Sequence, residues 1–305
     1  MTPAPFGISA IIPTRNRAAR LERAIESILA QTVPVAEIVI VDDGSEDNTR
    51  EVVARYEPKA RYLHQASKGV AAARNAGVEA ATTAWVAFLD DDDEWLPDKI
   101  ESQVKALSGD ADAIGCYAPA LIVCDDGVST DIHMPVSPVD LQRHVLLRNP
   151  FTQCSLVMKK AFFRHVGGFN TTLRCGEDWE FCYRAIRREG RFLMIERPLV
   201  RVYESANSTS RDVESALESE RLVVSMIVAK IPGPMRFVWK LRMNSKVYCR
   251  AAVNAKTHNM DYVQYVIRSI LYWPSPMFEV RRYKALGLYI IGVVLSMAPW
   301  GRRYV

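Results

Sequence analysis

The sequence predicts an α/β fold, in which a mainly parallel β-sheet carries helices on both faces and is followed by a helical, basic C-terminal region. Two observations lead to this prediction. Short apolar runs alternate with amphipathic stretches through the first 110 residues, a pattern typical of parallel sheets covered by helices. Beyond about residue 205 the sequence favours helix and becomes rich in Lys and Arg. The chain of 305 residues is long enough for one such domain and an appended region.

Four strands and four helices are predicted in the first 110 residues. The strands are short apolar runs, at 8–12, 37–41, 61–64 and 85–89. Helices are predicted at 18–30, 49–56 and 70–81, and Ile100, Val104 and Leu107 mark a fourth that Pro97 opens. In such sheets, ligands bind beyond the carboxyl ends of the strands.

The second half is less regular. A hairpin is predicted with its turn at 125–127, between strands at 114–124 and 128–134. Further strands are predicted at 155–158, 192–195 and 200–203, with a helix from Glu177 to about Arg188. A last helix is predicted from Ser210 to about Ile231, where Pro232, Gly233 and Pro234 interrupt it.

Composition excludes several classes of protein. A hydrophobic share of 49% and a charged share of 24% exclude disorder, collagen-like repeats and coiled coil as the main architecture. The six cysteines form no CxxC pair and no zinc-ligand spacing, so we expect reduced thiols. The N-terminal stretch has neither a basic segment nor a long apolar run, so we expect the catalytic part to lie in the cytoplasm.

Polar motifs follow three of the predicted strands. The first strand leads into Pro13, Thr14 and Arg15, the second into Asp42 and Asp43, and the fourth into aspartates at 90–93. Four adjacent carboxylates repel one another unless a cation lies among them, and Mg²⁺ or Mn²⁺ would suit these oxygen ligands. A solvated acidic turn before a helix explains the same residues, so both interpretations stay open.

The other polar motifs allow two interpretations each. Asp42 and Asp43 precede Gly-Ser, which fits a turn with a helix cap or a carboxylate that binds a base or ribose. Glu177 and Asp178 precede an amphipathic helix, as capping residues or as a general base. Arg74 lies in an alanine-rich helix, where it could contact an anionic ligand or one of the aspartate runs.

Six motifs, taken together, resemble the family 2 inverting glycosyltransferases with the GT-A fold. They lie at 11–17, 27–32, 38–45, 69–77, 88–98 and 176–180, and together cover about residues 7–200. The resemblance implies a Rossmann-like GT-A domain over residues 1–205. Its nucleotide-binding half would be 1–110 and its acceptor half 111–205, with 206–305 as the helical region.

The resemblance also implies a role for individual residues. Those lining the donor pocket would be Pro13, Thr14, Arg15, Asp42, Asp43, Lys68, Arg74, Asn75, Asp90 and Asp91. Asp92 would hold the divalent metal, Mn²⁺ or Mg²⁺, with Asp90 as a possible further ligand. Asp178 would be the general base, and Glu177 is the fallback. The implied reaction moves a sugar, with inversion, from a nucleoside-diphosphate sugar to an acceptor hydroxyl in cell-surface polysaccharide or glycolipid assembly.

Two other functions remain open. A nucleotidyltransferase that makes sugar nucleotides also needs a metal and a nucleotide pocket, but the stretch 13–17 lacks the glycines of a phosphate-binding loop. A non-catalytic, membrane-bound GT-A scaffold would be favoured by loss of Asp178 or of the aspartate run, and both are present.

The composition of the C-terminal region predicts contact with a membrane. Residues 230–305 hold 13 Lys and Arg against Asp261 and Glu279, a net charge of +11. Tyr and Trp lie among these cations, and the stretch 285–300 is uncharged, which suits an anionic membrane surface. That stretch is at the lower limit for a transmembrane helix, so an interfacial or re-entrant segment stays possible. We expect a peripheral protein on the inner face of the membrane with a saccharide or lipid-linked acceptor, and no nucleic acid partner.

Overall fold

The structure is a computed structural model, which describes residues 6–123, 129–188, 190–203, 213–254 and 260–272. The chain divides into two compact units between residues 206 and 207. This division lies beside the boundary that the sequence predicts. The first unit is α/β, as predicted, and the second is helical in its described residues.

Strands and helices alternate through the first unit. In chain order its strands are β1 (Ile8–Thr14), β2 (Glu37–Asp42), β3 (Ala60–His64), β4 (Trp85–Phe88), β5 (Glu94–Trp95), β6 (Ala113–Tyr117), β7 (Ala120–Val123), β8 (Ser129–His133), β9 (Val157–Lys159), β10 (Arg191–Met194) and β11 (Val200–Tyr203). Its helices are α1 (Ala18–Leu29), α2 (Thr49–Ala54), α3 (Val70–Ala80), α4 (Lys99–Ser108), α5 (Leu141–His144), α6 (Lys160–Val166) and α7 (Glu177–Arg187).

A seven-stranded sheet lies at the centre of this unit, in the order β10-β6-β9-β4-β1-β2-β3. All neighbouring strands are parallel except β9, which runs antiparallel to both β4 and β6. Every residue of β1 is buried. Covering of a sheet on both faces explains why its strands read as continuous apolar runs rather than as alternating patterns.

The smaller sheet has the order β5-β11-β7-β8 and corrects one prediction. The apolar run 114–124, predicted as one strand, is divided between β6 of the large sheet and β7 of the small one. Pro119 lies between them and has no N–H to donate to a strand ladder, which accounts for the break. β7 and β8 pair antiparallel, while the predicted turn at 125–127 lies outside the described residues.

Helix α3 packs unusually close to the sheet, and this fixes the position of its polar side chains. A Cβ atom added at Gly77 would lie 2.5 Å from Cγ2 of Ile11 and 3.2 Å from Cγ2 of Val41. Only a glycine therefore fits at this crossing of α3 with β1 and β2. Arg74, about one turn before Gly77, reaches Asp90 beyond the carboxyl end of β4.

The second unit contains α8 (Val213–Ala229), α9 (Met235–Asn254) and α10 (Met260–Tyr272). The predicted interruption at 232–234 separates α8 from α9. Among the described residues, no helix combines the length and the apolar character needed to cross a membrane. The uncharged stretch 285–300 lies outside those residues.

Candidate active site

The polar ends of three strands lie at one edge of the large sheet, as the sequence predicts. Thr14 at the end of β1 is paired in register with Asp42 at the end of β2. The Thr14 hydroxyl donates a hydrogen bond of 2.8 Å to Oδ2 of Asp91, which follows β4. The hydroxyl thus joins the first predicted donor motif to the aspartate run.

Arginines at the start of α1 neutralise part of the aspartate run. Nη1 of Arg17 lies 2.9 Å from Oδ1 of Asp91 and 2.7 Å from Oδ2 of Asp92. Arg20 lies 3.7 Å from Asp92, and Arg23 donates to the backbone oxygen of Asp92 at 2.6 Å. The sequence reasoning missed these residues, although their spacing of three places them on one helix face.

Burial raises the pKa values of three of the four aspartates. Desolvation brings the pKa of Asp91 to about 6, although Arg17 and the Thr14 hydroxyl oppose the shift. Burial also raises the pKa values of Asp92 and Asp93, the latter strongly. These shifts show that burial penalises the charged form of the three carboxyls more than the nearby arginine and hydrogen bonds favour it.

Asp90 differs from its neighbours because its pKa is lowered rather than raised. Burial opposes its ionisation, yet the Arg74 guanidinium at 2.6 Å lowers the pKa of this carboxyl. Its other oxygen accepts a hydrogen bond of 3.4 Å from the Cys154 thiol.

The aspartate run fits the binding of a divalent metal. One ligand atom each of Asp90, Asp93 and Cys154 lies within 4.8 Å of the other two. A bound cation would favour the charged form of the neighbouring carboxyls, whose pKa values are raised mainly by burial. Asp92, the ligand that the resemblance implies, is paired with Arg17 instead and lies outside this group. The structure therefore favours Asp90 within the group, and the role of Asp92 stays a prediction.

The carboxylates of Asp42 and Asp43 are both held by hydrogen bonds, and that of Asp43 holds the loop that follows β3. Asp42 accepts hydrogen bonds from the Tyr62 hydroxyl at 2.6 Å and from the backbone N–H of Ser45 at 2.8 Å. Asp43 accepts three, which come from Nε2 of Gln65 at 2.6 Å and from the backbone N–H groups of residues 68 and 69, both at 2.8 Å. Tyr62 and Gln65 were missed, because no motif distinguishes them in the sequence.

The other residues predicted to line the donor pocket differ in their burial and in their contacts within the protein. Pro13 is buried within β1, whereas the side chains of Arg15 and Lys68 are exposed. Arg15 donates a hydrogen bond of 2.5 Å to the Ser67 hydroxyl. Asn75 donates to the backbone oxygen of Phe169 and accepts from its N–H, at 2.9 and 2.8 Å. Its amide therefore holds the loop before α7.

Arg74 connects the aspartate run to the helix that carries the predicted base. Its guanidinium donates a hydrogen bond of 2.6 Å to Asp90 and one of 2.7 Å to Glu177. The residue is only 5% exposed. Burial raises the pKa of Glu177, and Arg74 opposes that shift. Of the two partners that the sequence left open for Arg74, the structure shows protein carboxylates.

Asp178 lies in the first turn of α7, beside Glu177, and is partly exposed. Its Oδ1 accepts a hydrogen bond from the backbone N–H of Trp179, and its Oδ2 accepts one from Nδ2 of Asn149, both 2.7 Å long. A carboxylate held by two donors and still open to solvent can accept a proton from a bound hydroxyl. Asn149 was missed because it lies in an irregular stretch of the sequence.

Comparison with known sequences agrees with this architecture. Residues 9–163 match the family described as glycosyl transferase family 2. An uncharacterised glycosyltransferase of Rickettsia felis is 33% identical over 189 residues, which are 59% of this chain and 31% of that protein. One of Haemophilus influenzae is 29% identical over 182 residues, or 59% and 62% of the two chains. The matched part is thus less than two thirds of the length of either relative.

Solved structures share the fold at low sequence identity. Residues 1–349 of S. aureus TarS in complex with UDP-GlcNAc have a TM-score of 0.67 at 16% identity, covering 94% of this chain and 92% of that one. The mannosyltransferase PcManGT from Pyrobaculum calidifontis, in complex with GDP-Man and Mn²⁺, has a TM-score of 0.61 at 18% identity, covering 97% and 81%. The family match over residues 9–163 and the fold shared with these structures lead to one conclusion. This chain belongs to glycosyl transferase family 2 and has the GT-A fold.

Proposed function

We propose that this protein is an inverting, metal-dependent glycosyltransferase, which moves a sugar from a nucleoside-diphosphate sugar to an acceptor hydroxyl. The observation that carries the proposal is the buried Arg74, which holds Asp90 and Glu177 at 2.6 and 2.7 Å. It fixes the aspartate run and the helix bearing Asp178 at one site. The complexes of TarS with UDP-GlcNAc and of PcManGT with GDP-Man and Mn²⁺ add support for this donor class and for a metal.

The donor would bind at the ends of β1, β2 and β4. Asp42 and Asp43 would line the pocket for the base and ribose. Asp43 holds the loop at 65–69 in place through Gln65 and two backbone N–H groups, and the Tyr62 hydroxyl holds Asp42. Asp92 and Asp90 would hold Mn²⁺ or Mg²⁺, with Asp93 and Cys154 as further donors close to Asp90. When bound, the metal stabilises the negative charge of the leaving nucleoside diphosphate.

The acceptor hydroxyl would be activated by Asp178. Its carboxylate takes the hydroxyl proton while that oxygen attacks the anomeric carbon and the bond to the diphosphate breaks. One displacement inverts the anomeric centre without a covalent sugar–enzyme intermediate. Asn149 holds Oδ2 of Asp178 through its 2.7 Å hydrogen bond, which orients the base.

A donor screen tests this function. The protein is incubated with a panel of sugar nucleotides, Mn²⁺ and candidate saccharide acceptors, and the released nucleoside diphosphate is measured. Release that requires an acceptor supports the proposal. A parallel incubation supplies a nucleoside triphosphate and a sugar 1-phosphate, from which release of pyrophosphate would instead indicate the alternative nucleotidyltransferase. Neither product in either incubation would favour a non-catalytic scaffold.

We also propose that the C-terminal region holds the enzyme at an anionic membrane surface on the cytoplasmic side, where it acts on a lipid-linked or membrane-proximal acceptor. The charge of +11 over residues 230–305 supports this. So do the apolar side chains of Phe237 and Leu271, which are 66% and 76% exposed in the second unit. Such a location suits polysaccharide or glycolipid assembly.

Vesicle flotation tests the membrane proposal. The whole chain should float with phosphatidylglycerol vesicles at low salt, and less so at high salt because salt screens the attraction. A chain ending at residue 206 is the control, and it should stay in the soluble fraction. If the whole chain also stays there, the acceptor need not be lipid-linked.

A further inference from the structure

Residues 149–154 connect the two catalytic parts of the candidate site. At one end, Nδ2 of Asn149 donates a hydrogen bond of 2.7 Å to Oδ2 of Asp178. At the other, the Cys154 thiol donates a hydrogen bond of 2.9 Å to Oδ2 of Asp93. Between them the backbone oxygen of Pro150 accepts the N–H of Val136 at 2.8 Å. The segment is therefore fixed between the predicted base and the aspartate run.

Three side chains of this segment bury polar atoms without a hydrogen-bond partner. They are Oδ1 of Asn149, Oγ1 of Thr152, and both Nε2 and Oε1 of Gln153. Within the described residues these are four of the six buried side-chain nitrogen or oxygen atoms that lack one. Gln153 is only 5% exposed. Buried polar groups are nearly always paired, so a cluster of exceptions between two catalytic groups needs a cause.

The chain satisfies its other buried glutamines, which shows that Gln153 is not typical of this fold. Nε2 of Gln31 donates to two backbone oxygens, and its Oε1 accepts the N–H of Ile100 at 3.0 Å. Nε2 of Gln103 donates a hydrogen bond of 2.8 Å to the backbone oxygen of Ser155. Its Oε1 accepts a hydrogen bond of 2.6 Å from Nζ of Lys99. Both amides are used fully by the protein.

We propose that Asn149, Thr152 and Gln153 form a subsite that binds the hydroxyl groups of a neutral sugar ring. This proposal rests on the proposed function and specifies its substrate. The free groups are an amide N–H donor, two amide oxygens and a hydroxyl, which together match adjacent hydroxyls that donate and accept. The three side chains carry no positive charge, so they suit a neutral sugar better than a phosphate or a carboxylate.

Two sugars could supply these hydroxyls, the donor's own sugar or the acceptor. Both must come close to the aspartate run and to Asp178 for transfer to occur. The two sources differ in what they predict, because only the donor's sugar is present when a sugar nucleotide binds alone.

The first measurement is thermal unfolding of Gln153→Leu, with Gln103→Leu as the matched control. Replacing an unpaired buried amide by an apolar group of similar size removes polar atoms that lack partners, so the melting temperature should stay the same or rise. The control leaves Lys99 and the oxygen of Ser155 without partners and should melt at a lower temperature. If Gln153→Leu loses as much as the control, Gln153 is a structural residue and the subsite is refuted.

The second measurement compares the wild type with Gln153→Leu. Each is titrated calorimetrically with UDP, UDP-GlcNAc, GDP and GDP-mannose in Mn²⁺, and the KM of each for methyl glycoside acceptors is determined. Loss of these hydrogen bonds should weaken sugar binding about tenfold. A loss for the sugar nucleotide and not for its diphosphate assigns the donor's sugar, and a raised acceptor KM assigns the acceptor. No change in either refutes the subsite. A wild-type chain that neither binds nor cleaves any sugar nucleotide refutes the proposed function itself.

Discussion

Arg74 and Glu177 form a buried ion pair of 2.7 Å between residues that are 103 positions apart in the sequence. The exposed fractions of their side chains are 6% and 9%. The same guanidinium reaches Asp90 on the turn after β4. The position of α7, and hence of the predicted base, therefore depends on one cation of α3.

Removing this cation should destabilise the first unit. Arg74→Met leaves Asp90 and Glu177 without their partner, and breaking a buried pair in this way costs about 3–5 kcal/mol. The measurement is the free energy of unfolding in urea. Arg164→Met is the control, because it breaks an exposed pair with Glu79 and should change stability little. Equal stability of the two variants would show that Arg74 does not hold α7.

The second prediction separates the base from the donor pocket. Asp178→Asn should lower turnover about 10²–10⁴-fold, because a positioned base contributes that much. Donor affinity should stay nearly unchanged. Asn149→Ala and Glu177→Gln should each have a smaller effect on turnover, since both leave the Asp178 carboxylate in place. Steady-state rates and titration with the donor measure the two quantities, and equal losses in both would place Asp178 in the donor pocket.

The third prediction concerns the metal. Asp92→Asn should abolish transfer and weaken donor binding in Mn²⁺, because it would remove a charged oxygen ligand of the proposed metal without changing the side-chain size. Asp98→Asn, outside the run, is the control and should retain activity. Chelation of the wild-type enzyme with EDTA should have the same effect as Asp92→Asn. Full transfer in EDTA would show that the metal is not needed.

The fourth prediction follows from a buried lysine. Burial lowers the pKa of Lys99 to about 7, and its Nζ lies 2.6 Å from Oε1 of Gln103 and 4.0 Å from the centroid of Trp95. Between pH 7 and the unfolded pKa near ~10.4, the unfolded chain binds more protons at this site than the folded one. Stability should therefore increase with pH in that window, and the cost of burial should be largest below pH 7.

Comparison with Lys99→Met isolates this contribution. The stability of the wild type relative to the variant should increase by up to ~1.4 kcal/mol per pH unit between pH 7 and 10. Urea unfolding at several pH values measures it. A difference that does not depend on pH would mean that Lys99 has an ordinary pKa in the folded protein.

The sequence was sufficient to predict the parallel part of the fold. Its strands there are short apolar runs, and the polar residues that follow them are set apart by this pattern. The division of 114–124 into β6 and β7 was not predicted, because an apolar run of this length fits one strand as well as two. Pro119 was the signal that could have revealed it.

The contacts of the site were less predictable than its residues. The sequence singled out Arg74, Asp90 and Glu177 but left the partner of Arg74 open, because a pairing across 103 positions depends on how α3 packs. Asn149 and Gln153 lie in a stretch without helical or strand periodicity. Nothing local distinguishes their amides from surface ones, and only burial shows what they lack.

The most direct test of transfer with inversion is proton NMR of the reaction with an α-linked sugar nucleotide, Mn²⁺ and an acceptor saccharide. The spectra report the nucleoside diphosphate and the configuration of the new linkage together. The account predicts equal amounts of nucleoside diphosphate and of a β-linked product, both lost in Asp178→Asn. An α-linked product, or turnover that persists fully in Asp178→Asn, would contradict it.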